Sequence, residues 1–333
     1  MKKILIPIIF ICLGTIAPLL LLETSLRVEL LLRKGIPLSQ NPRDLWDKDL
    51  GWTGREHLIA GSDTLNPVLI FGDSFTHGLS IPTDKMWFAS LQTETSSNPI
   101  IAYGGLGYGT LQELLVLRKY LQLYPHPELI VLQLCSNDIL NNYQPIEQET
   151  YLQRAPGPRP YLEGKEIHIR MARKYGSIIF PFISFSRFLY KYNTRWENLM
   201  ANWAHEGKID SIEFPIENSH GALPIFKDAV KVTQRLIRLF KKEAAGIPLV
   251  FMLVDDLPTY SKELIFISKK FNIPLVIPSR IQHIPENGRL EDGTHLNELG
   301  NQIVGKIVSE FIHEQGLLGQ TRSHLKNTFE MAS

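Results

Sequence analysis

Three residues of this chain have the types and the spacing that acyl-transfer chemistry requires. Ser74 ends the stretch Val68–Ser74, in which an apolar run stops at Gly-Asp-Ser, and Asp292 and His295 stand three positions apart near the other end of the sequence. A serine hydroxyl becomes nucleophilic when an imidazole takes its proton, and a carboxylate holds that imidazole in orientation. We therefore interpret Ser74 as a candidate nucleophile, His295 as its base and Asp292 as the group that orients His295.

A tetrahedral acyl-transfer intermediate also needs hydrogen-bond donors aimed at its oxygen atom. The sequence offers three candidates, which are the backbone N–H groups of Ser74 and Gly107 and the side-chain amide of Asn137. Gly107 lies in the glycine-rich stretch Ala102–Thr110, and a residue without a Cβ lets the backbone approach a ligand closely. Asn137 follows shortly after another apolar run. These three groups are the predicted oxyanion hole.

Each of these motifs is weak evidence alone, because such turns and helix caps are common in proteins without any catalytic role. In this order, however, they resemble the sequence blocks of one known family, the SGNH (GDSL) hydrolases. The matching segments are Gly72-Asp73-Ser74, Ala102–Thr110, Ser136-Asn137-Asp138 and Asp292-Gly293-Thr294-His295. The resemblance covers roughly residues 65–142 and 246–314, and it departs from the family at Ala102 and Ser136, where many members have Asn and Gly.

The resemblance implies a flavodoxin-like α/β fold and an esterase or acyl-hydrolase activity. It implies a catalytic triad of Ser74, Asp292 and His295, with an oxyanion hole formed by Ser74, Gly107 and Asn137. It also implies that the reaction uses no metal and no organic cofactor.

The elements that position these residues follow an alternating strand–helix pattern. Short apolar runs that are continuous, rather than alternating with polar residues, favour strands covered on both faces. The runs are Val68–Ser74, Pro99–Gly105, Glu128–Leu134, Pro248–Val254 and Ile273–Pro278, and helical patterns cover Thr110–Tyr124, Phe226–Ala245, Tyr260–Phe271 and Asn297–His313. The pattern predicts a three-layer α/β/α sandwich around a parallel five-stranded sheet. Ligands bind beyond the carboxyl ends of such strands, where the candidate residues stand.

Segments outside this pattern complete the predicted organisation. Residues 67–315 form the catalytic domain, with residues 36–66 as a linker or lead-in and residues 316–333 as a polar tail. Residues 141–224 break the strand–helix rhythm and are too long for a plain loop, so we interpret them as an insertion. Within it, Phe180–Tyr192 predicts a helix with an apolar face, which either docks on the core or forms a lid over the site.

The first residues of the chain predict membrane attachment. Lys2 and Lys3 precede the uncharged run Ile4–Leu22, which approaches the roughly 20 residues that a helix needs to cross a bilayer. Lysines before the run and Glu23 after it favour a cytoplasmic N-terminus. We interpret residues 1–35 as an uncleaved single-pass anchor that holds an extracytoplasmic or periplasmic catalytic domain. The alternative is a signal peptide whose cleavage yields a secreted protein.

Composition argues against several other classes of protein. The formal net charge of +1 gives no basic field for binding nucleic acid. The two cysteines, Cys12 and Cys135, allow neither a disulfide within the soluble part nor a cysteine-based zinc site. Trp46, Trp52 and Trp87 either stack on a sugar or, by default, pack against the protein.

Three functional hypotheses follow from the sequence. The first is an esterase that removes O-acyl (acetyl) groups from an extracytoplasmic glycan through an acyl-enzyme on Ser74. The second is an O-acyltransferase, in which a polysaccharide hydroxyl takes the place of water as acceptor. The third is a non-catalytic glycan-binding or assembly protein, which the presence of Ser74, Asp292 and His295 disfavours.

Overall fold

A six-stranded sheet forms the centre of the protein in a computed structural model, which describes residues 2–62, 66–94, 98–151, 157–172 and 176–318. In chain order the strands are β1 Arg55–Ile59, β2 Val68–Gly72, β3 Ile100–Gly104, β4 Leu129–Leu134, β5 Arg159–Glu163, β6 Glu166–Arg170, β7 Leu249–Leu253 and β8 Leu275–Val276. The sheet has the order β1-β3-β2-β4-β7-β8, and β5 pairs with β6 in a separate hairpin. Strands β2, β3, β4, β7 and β8 are parallel, whereas β1 runs antiparallel to β3.

The five parallel strands confirm the apolar runs, since each strand lies inside its predicted run. The prediction of a purely parallel five-stranded sheet is wrong, because β1 adds a sixth, antiparallel strand at the edge. This strand comes from residues 36–66, which the sequence predicted to be a linker. Its sequence, Arg-Glu-His-Leu-Ile, lacks the continuous apolar run of a central strand, because an edge strand leaves part of its surface in water.

Thirteen α-helices accompany the sheet in the described part of the chain. They are α1 Lys2–Lys34, α2 Ser74–His77, α3 Ser90–Glu94, α4 Thr110–Leu123, α5 Asn137–Asn141, α6 Gln144–Glu147, α7 Gly176–Phe185, α8 Arg187–His205, α9 Glu213–Asn218, α10 Pro224–Glu243, α11 Pro258–Phe271, α12 Pro278–Ile281 and α13 Glu298–Glu314. Single 3-10 turns lie at Pro42–Leu45, Thr83–Lys85, Trp87–Ala89 and Glu286–Gly288.

Helices cover both faces of the sheet and so produce three layers. Successive side chains of a strand point to opposite faces, and in β2 Leu69 and Phe71 join one buried apolar cluster while Val68 and Ile70 join the other. Helices α4, α10 and α11 supply buried side chains to the first cluster, and α13 with the turn at Trp87–Ala89 supplies the second. Because both faces are packed, polar side chains can meet at the ends of the strands.

The predicted insertion contains the β5–β6 hairpin and helices α7, α8 and α9. The predicted helix Phe180–Tyr192 is in fact two helices, because Ser186 lies between them in an extended conformation and its side chain caps α8. The start of α8 also contacts α1, since the Glu23 carboxylate accepts hydrogen bonds from the backbone N–H groups of Arg187 (3.0 Å) and Phe188 (2.8 Å). The insertion is therefore attached to the first helix of the chain.

Among the described residues, no helix is both long and apolar enough to cross a membrane. This finding does not support the anchor predicted over residues 1–35, although the side chains of residues 1–13 lie outside those described. Residues 319–333, which make up most of the predicted polar tail, also lie outside the described residues.

His57 is a buried histidine on the edge strand β1 and has hydrogen-bond partners at both ring nitrogens. Nε2 donates to the His77 carbonyl (3.1 Å), so Nδ1 accepts from the Thr83 hydroxyl (2.9 Å) in the neutral ring. Burial lowers the pKa of His57 to about 4, and the positive charge of Arg55 acts in the same direction. The unfolded chain binds this proton more readily, with a pKa near 6.5, so protonation favours unfolding.

We therefore expect His57 to make the fold lose stability as the pH falls from about 6.5 towards 4. The loss reaches about 2 kcal/mol at pH 5, from the relation between pKa shift and free energy. Urea unfolding between pH 7 and pH 4.5 gives the free energy of unfolding of wild type and of His57→Gln. We expect the difference between the two free energies to change with pH by this amount. Buried carboxyls whose pKa values are raised act in the opposite direction but are present in both proteins, so the difference isolates His57. Parallel pH curves would contradict the prediction.

Candidate active site

The turn after β2 presents Ser74 at the carboxyl end of the sheet. Asp73 ends the extended backbone, and its Oδ1 accepts a hydrogen bond from the Phe75 N–H (3.0 Å), which starts helix α2. The Asp73 N–H itself donates to the side chain of Gln133 on β4 (3.1 Å). A Cβ on Gly72 would lie 2.4 Å from both the Gln133 and Thr76 side chains, so only glycine fits there. These contacts fix the turn that holds the serine.

Ser74, His295 and Asp292 form a continuous chain of hydrogen bonds. His295 Nε2 lies 2.9 Å from Ser74 Oγ, and His295 Nδ1 lies 2.6 Å from Asp292 Oδ2. If Nδ1 carries the proton that binds the carboxylate, Nε2 is free to accept the serine proton. The structure thus brings together the three residues that the sequence selected, although their positions differ by more than 200 residues.

The loop before α13 determines where the imidazole lies. The His295 carbonyl accepts a hydrogen bond from the Leu290 N–H (2.8 Å), which closes the loop. Asn297 caps α13 by accepting from the Gly300 N–H (3.2 Å), and its amide donates to the Asn287 carbonyl (2.7 Å). The imidazole lies beside the Phe75 ring, with centroids 5.1 Å apart. The ring is therefore supported by the same short helix that carries the nucleophile.

Asp292 is held as a carboxylate. Partial burial raises the pKa of Asp292, but hydrogen bonds from the His295 side chain and from the backbone N–H groups of His295 and Thr294 outweigh it and bring the pKa below its usual range. Both backbone N–H groups donate to Oδ1 at 2.9 Å, which leaves Oδ2 for the imidazole. The Asp292 side chain is 45% exposed and that of His295 24% exposed, so the base lies near the surface.

The glycine-rich loop after β3 runs directly beside the Ser74 turn. The Gly105 N–H donates to the Gly72 carbonyl (3.1 Å), and a Cβ on Gly104 would lie 2.2 Å from the backbone nitrogen of His77. Gly107 has a φ of +64°, in the region that favours glycine. Within the described chain, the backbone N–H groups of Ser74 and Gly107 have no hydrogen-bond partner. Both predicted backbone donors are thus available to a ligand.

Asn137 lies at the start of α5, next to the same loop. Its side-chain amide donates to Asn141 Oδ1 (2.8 Å) and, at longer range, to the Tyr108 carbonyl (3.3 Å). The contact with Tyr108 places the amide one residue along the chain from Gly107. The three predicted oxyanion donors therefore lie on adjoining segments of the structure, namely the β2–α2 turn, the glycine-rich loop and α5.

Buried carboxyls that the motif analysis did not assign a role lie behind these segments. Burial raises the pKa of Asp73 to about 6 and that of Asp138 to about 8. Asp138 accepts hydrogen bonds from the Thr110 hydroxyl and the Cys135 N–H, both at 2.8 Å, and so joins the glycine-rich loop to the turn after β4. Asp255 accepts from the Ser136 N–H (2.9 Å) in the same turn. Asp73, Asp138 and Asp255 thus each accept a hydrogen bond from a backbone N–H of a turn at this edge of the sheet.

No group of His, Cys, Asp or Glu side chains within the described ranges is arranged to hold a metal ion.

Two contacts of the glycine-rich loop were not predicted. Trp52 Nε1 donates to the Leu106 carbonyl (3.0 Å), and Arg159 Nη2 donates to the Gly107 carbonyl (2.7 Å). The sequence predicted only packing or sugar stacking for Trp52 and no role for Arg159. A donor to a main-chain carbonyl leaves no motif in the sequence, so no signal could have identified them.

Comparison with known proteins gives similarity at the level of solved structures. No family model and no curated protein matches the sequence. The chain is similar to the esterase EstA from Pseudoalteromonas sp., with 15% identity over 75% of this chain and 98% of that one, and a TM-score of 0.43. It is similar to a member of the lipolytic protein G-D-S-L family from Veillonella parvula (12% identity, 73% and 96% covered, TM-score 0.39). It is also similar to the Clostridium thermocellum family 3 carbohydrate esterase (11% identity, 77% and 100% covered, TM-score 0.41). These TM-scores and identities are too low to carry a reaction or a substrate to this chain.

Proposed function

We propose that the protein is a serine esterase of the SGNH type that acts through Ser74, His295 and Asp292. The observation that supports this most directly is the hydrogen-bond chain from Asp292 through the imidazole to the Ser74 hydroxyl, with links of 2.6 and 2.9 Å. These lengths match the geometry required of a nucleophile and its base. The N–H groups of Ser74 and Gly107, which have no hydrogen-bond partner among the described residues, support the assignment of an oxyanion hole.

The proposed reaction has two halves. His295 Nε2 takes the Ser74 proton as Oγ attacks the ester carbonyl, and the oxyanion binds the N–H groups of Ser74 and Gly107. The Asn137 amide becomes the third donor when it exchanges its longer hydrogen bond to the Tyr108 carbonyl (3.3 Å) for one to the oxyanion. The imidazolium then gives its proton to the leaving alcohol, and an acyl-enzyme remains on Ser74. Water then attacks the acyl carbon as it loses a proton to His295, the bond from that carbon to Ser74 Oγ breaks, and the imidazolium returns the proton to Oγ as the acid leaves. Asp292 stabilises the imidazolium in both halves.

The acyl group is proposed to be short, with acetyl as the best candidate. The cavity beside Ser74 and His295 has a volume of about 10 Å³ and is lined by Phe75, Leu79 and Leu290. That space holds about one water molecule, so it has no room for a fatty acyl chain, and even a short acyl group would lie in the open part of the site. The alcohol part of the ester is proposed to be a glycan outside the cytoplasm. The near-surface position of His295 and Asp292 supports a bulky ester. The proposed location rests on the sequence alone, namely on Lys2, Lys3 and the uncharged run Ile4–Leu22.

The test uses the purified full-length chain, because Glu23 contacts the insertion and truncation would remove that contact. We expect hydrolysis of p-nitrophenyl acetate to exceed that of p-nitrophenyl octanoate, and a fluorophosphonate probe to label the Ser74 peptide in mass spectrometry. Release of acetate from an O-acetylated polysaccharide tests the glycan. Folded protein that neither reacts with the probe nor turns over an ester would contradict the proposal, and faster transfer to an added oligosaccharide than to water would identify an O-acyltransferase.

A further inference from the structure

The peptide group that carries the Gly107 N–H is held from its other side by Trp52. The Trp52 indole Nε1–H donates to the Leu106 carbonyl at 3.0 Å. The Leu106 carbonyl and the Gly107 N–H belong to one peptide group, and the described chain contains no cis peptide bond. In a trans peptide these two groups point in opposite directions. The indole therefore fixes the direction in which the Gly107 N–H points, and its hydrogen bond polarises that amide into a stronger donor.

The next peptide group is held by Arg159 from strand β5 of the insertion. Arg159 Nη2 donates to the Gly107 carbonyl at 2.7 Å, and Nη1 donates to the Asn141 carbonyl at 3.2 Å. The guanidinium lies over the Trp52 ring, 5.1 Å from its centroid. Trp52 and Arg159 thus contact each other and bind the carbonyls on either side of Gly107.

Arg159 is held in this position by a buried partner. Its side chain is 1% exposed, that of Glu147 is 0% exposed, and the Nε–Oε1 distance is 3.2 Å. The two Nη atoms of the rigid guanidinium hydrogen-bond the two carbonyls, whereas the Nε contact with Glu147 is an ion pair without hydrogen-bond geometry. A buried charge of this kind is costly unless it is paired and hydrogen-bonded. The arrangement therefore places a rigid donor against the glycine-rich loop.

We propose that Trp52 and Arg159 are positioning residues that set the Gly107 N–H for the oxyanion of the reaction. The inference rests on the proposed function, in which that N–H is an oxyanion donor. Both residues come from segments outside the motifs, Trp52 from the lead-in and Arg159 from the insertion. The insertion thus takes part in the chemistry through the backbone of Gly107, without its own side chains touching the reacting atoms.

The test measures kcat and KM for p-nitrophenyl acetate with two variants of the full-length protein. Trp52→Phe keeps an aromatic ring over Arg159 and removes the indole donor. Arg159→Lys keeps a positive charge beside Glu147 and removes the fork that reaches Gly107 and Asn141. We expect kcat to fall about 10-fold and about 10- to 100-fold respectively, with KM within about 3-fold of wild type. Complete loss of an oxyanion donor costs about 10²- to 10³-fold, and these variants keep the Gly107 N–H but loosen its orientation.

Tyr161→Phe is the matched control, because the Tyr161 hydroxyl donates to Glu147 Oε2 at 2.7 Å in the same buried cluster. It should lower the urea midpoint and leave kcat within about 2-fold of wild type. Equal kcat in wild type and a folded Trp52→Phe protein would overturn the inference, whatever the folding of Arg159→Lys. Wild type without Ser74-dependent turnover would overturn the proposed function itself, and with it the positioning role. An active wild type whose kcat is unchanged in folded Trp52→Phe and Arg159→Lys proteins would overturn the positioning role alone.

Discussion

Replacement of Ser74 by alanine is expected to lower kcat/KM for p-nitrophenyl acetate by about 10³-fold or more. The variant lacks the oxygen that forms the acyl-enzyme, and what remains is binding and the oxyanion donors. Alanine removes one atom from a half-buried turn that Asp73, Gln133 and Gly72 hold independently, so the fold should persist. Steady-state kinetics and a urea unfolding curve, measured on the same preparation, separate loss of chemistry from loss of structure.

The companion variants make this prediction sharper. His295→Ala should lose activity to a similar extent, and the double variant with Ser74→Ala should be no slower than either single one, because the two residues act as a unit. Asp292→Asn should retain more activity, since the carboxylate orients the base and is 45% exposed. Ser80→Ala, an exposed serine near the same turn, and Asp256→Asn, whose carboxylate pairs with Arg280 at 2.7 Å, are the controls. Additive losses in the double variant would contradict a shared mechanism.

The central sheet and the placement of the triad could be predicted from the sequence because they follow from local rules. Continuous apolar runs identify buried parallel strands, and the carboxyl ends of such strands meet at one edge of the sheet. Ser74 and Asn137 follow two neighbouring strands, β2 and β4, and Gly107 follows β3 on the other side of β2. Their proximity was therefore a consequence of topology. The lengths of the hydrogen bonds that join His295 to Ser74 and Asp292 could not be predicted, because they depend on how the loop before α13 folds.

The parts that escaped prediction depend on contacts between segments that are distant in sequence. Strand β1 pairs with β3, but its buried residue is the polar His57, so its sequence lacks an apolar strand pattern. His57 can be buried because Thr83 and His77, both distant in sequence, form hydrogen bonds with its ring nitrogens. The break at Ser186 between α7 and α8 occurs within a helical pattern, and the cap that stabilises it includes Glu23 from α1. Residues that bind main-chain carbonyls, such as Trp52 and Arg159, are likewise defined by where the backbone passes and not by their neighbours in sequence.

The same distinction explains why the insertion cannot be treated as an independent addition to the catalytic fold. The motif resemblance is interrupted between residues 142 and 246, and Arg159 lies in that interval. Arg159 nevertheless donates hydrogen bonds to the carbonyl of Gly107, a predicted oxyanion donor, and to the carbonyl of Asn141, whose side chain binds Asn137. Asn141 in turn accepts from Asn137 (2.8 Å) and donates to Glu147 (3.2 Å). The buried Arg159–Glu147 pair is thus connected to both the backbone and the side-chain donors. Stability of the insertion and the geometry of the oxyanion hole are therefore expected to depend on one pair of charges.

Replacement of Glu147 by glutamine is expected to destabilise the protein by about 3–5 kcal/mol, the usual cost of leaving one partner of a buried ion pair uncompensated. Glutamine keeps the shape of the side chain, so the loss reports the missing charge opposite Arg159, which is 1% exposed, together with the loss of one acceptor for Asn141 or Tyr161. Urea unfolding at pH 7 measures the change. Glu163→Gln is the matched control, since Glu163 pairs with Arg170 at 2.9 Å in the same hairpin with both side chains more than 40% exposed. Loss of that exposed pair should cost less than about 1 kcal/mol.

The double variant Glu147→Gln with Arg159→Met distinguishes stability from catalysis in this region. Removing both charges leaves no unpaired ion in the interior, so most of the lost stability should return relative to Glu147→Gln alone. The Gly107 carbonyl, however, has still lost its arginine donor, so kcat should stay about 10- to 100-fold below wild type. A protein that recovers stability and activity together would show that the pair matters for folding alone. Recovery of stability without recovery of kcat is the outcome that follows if the insertion controls the direction of the Gly107 N–H.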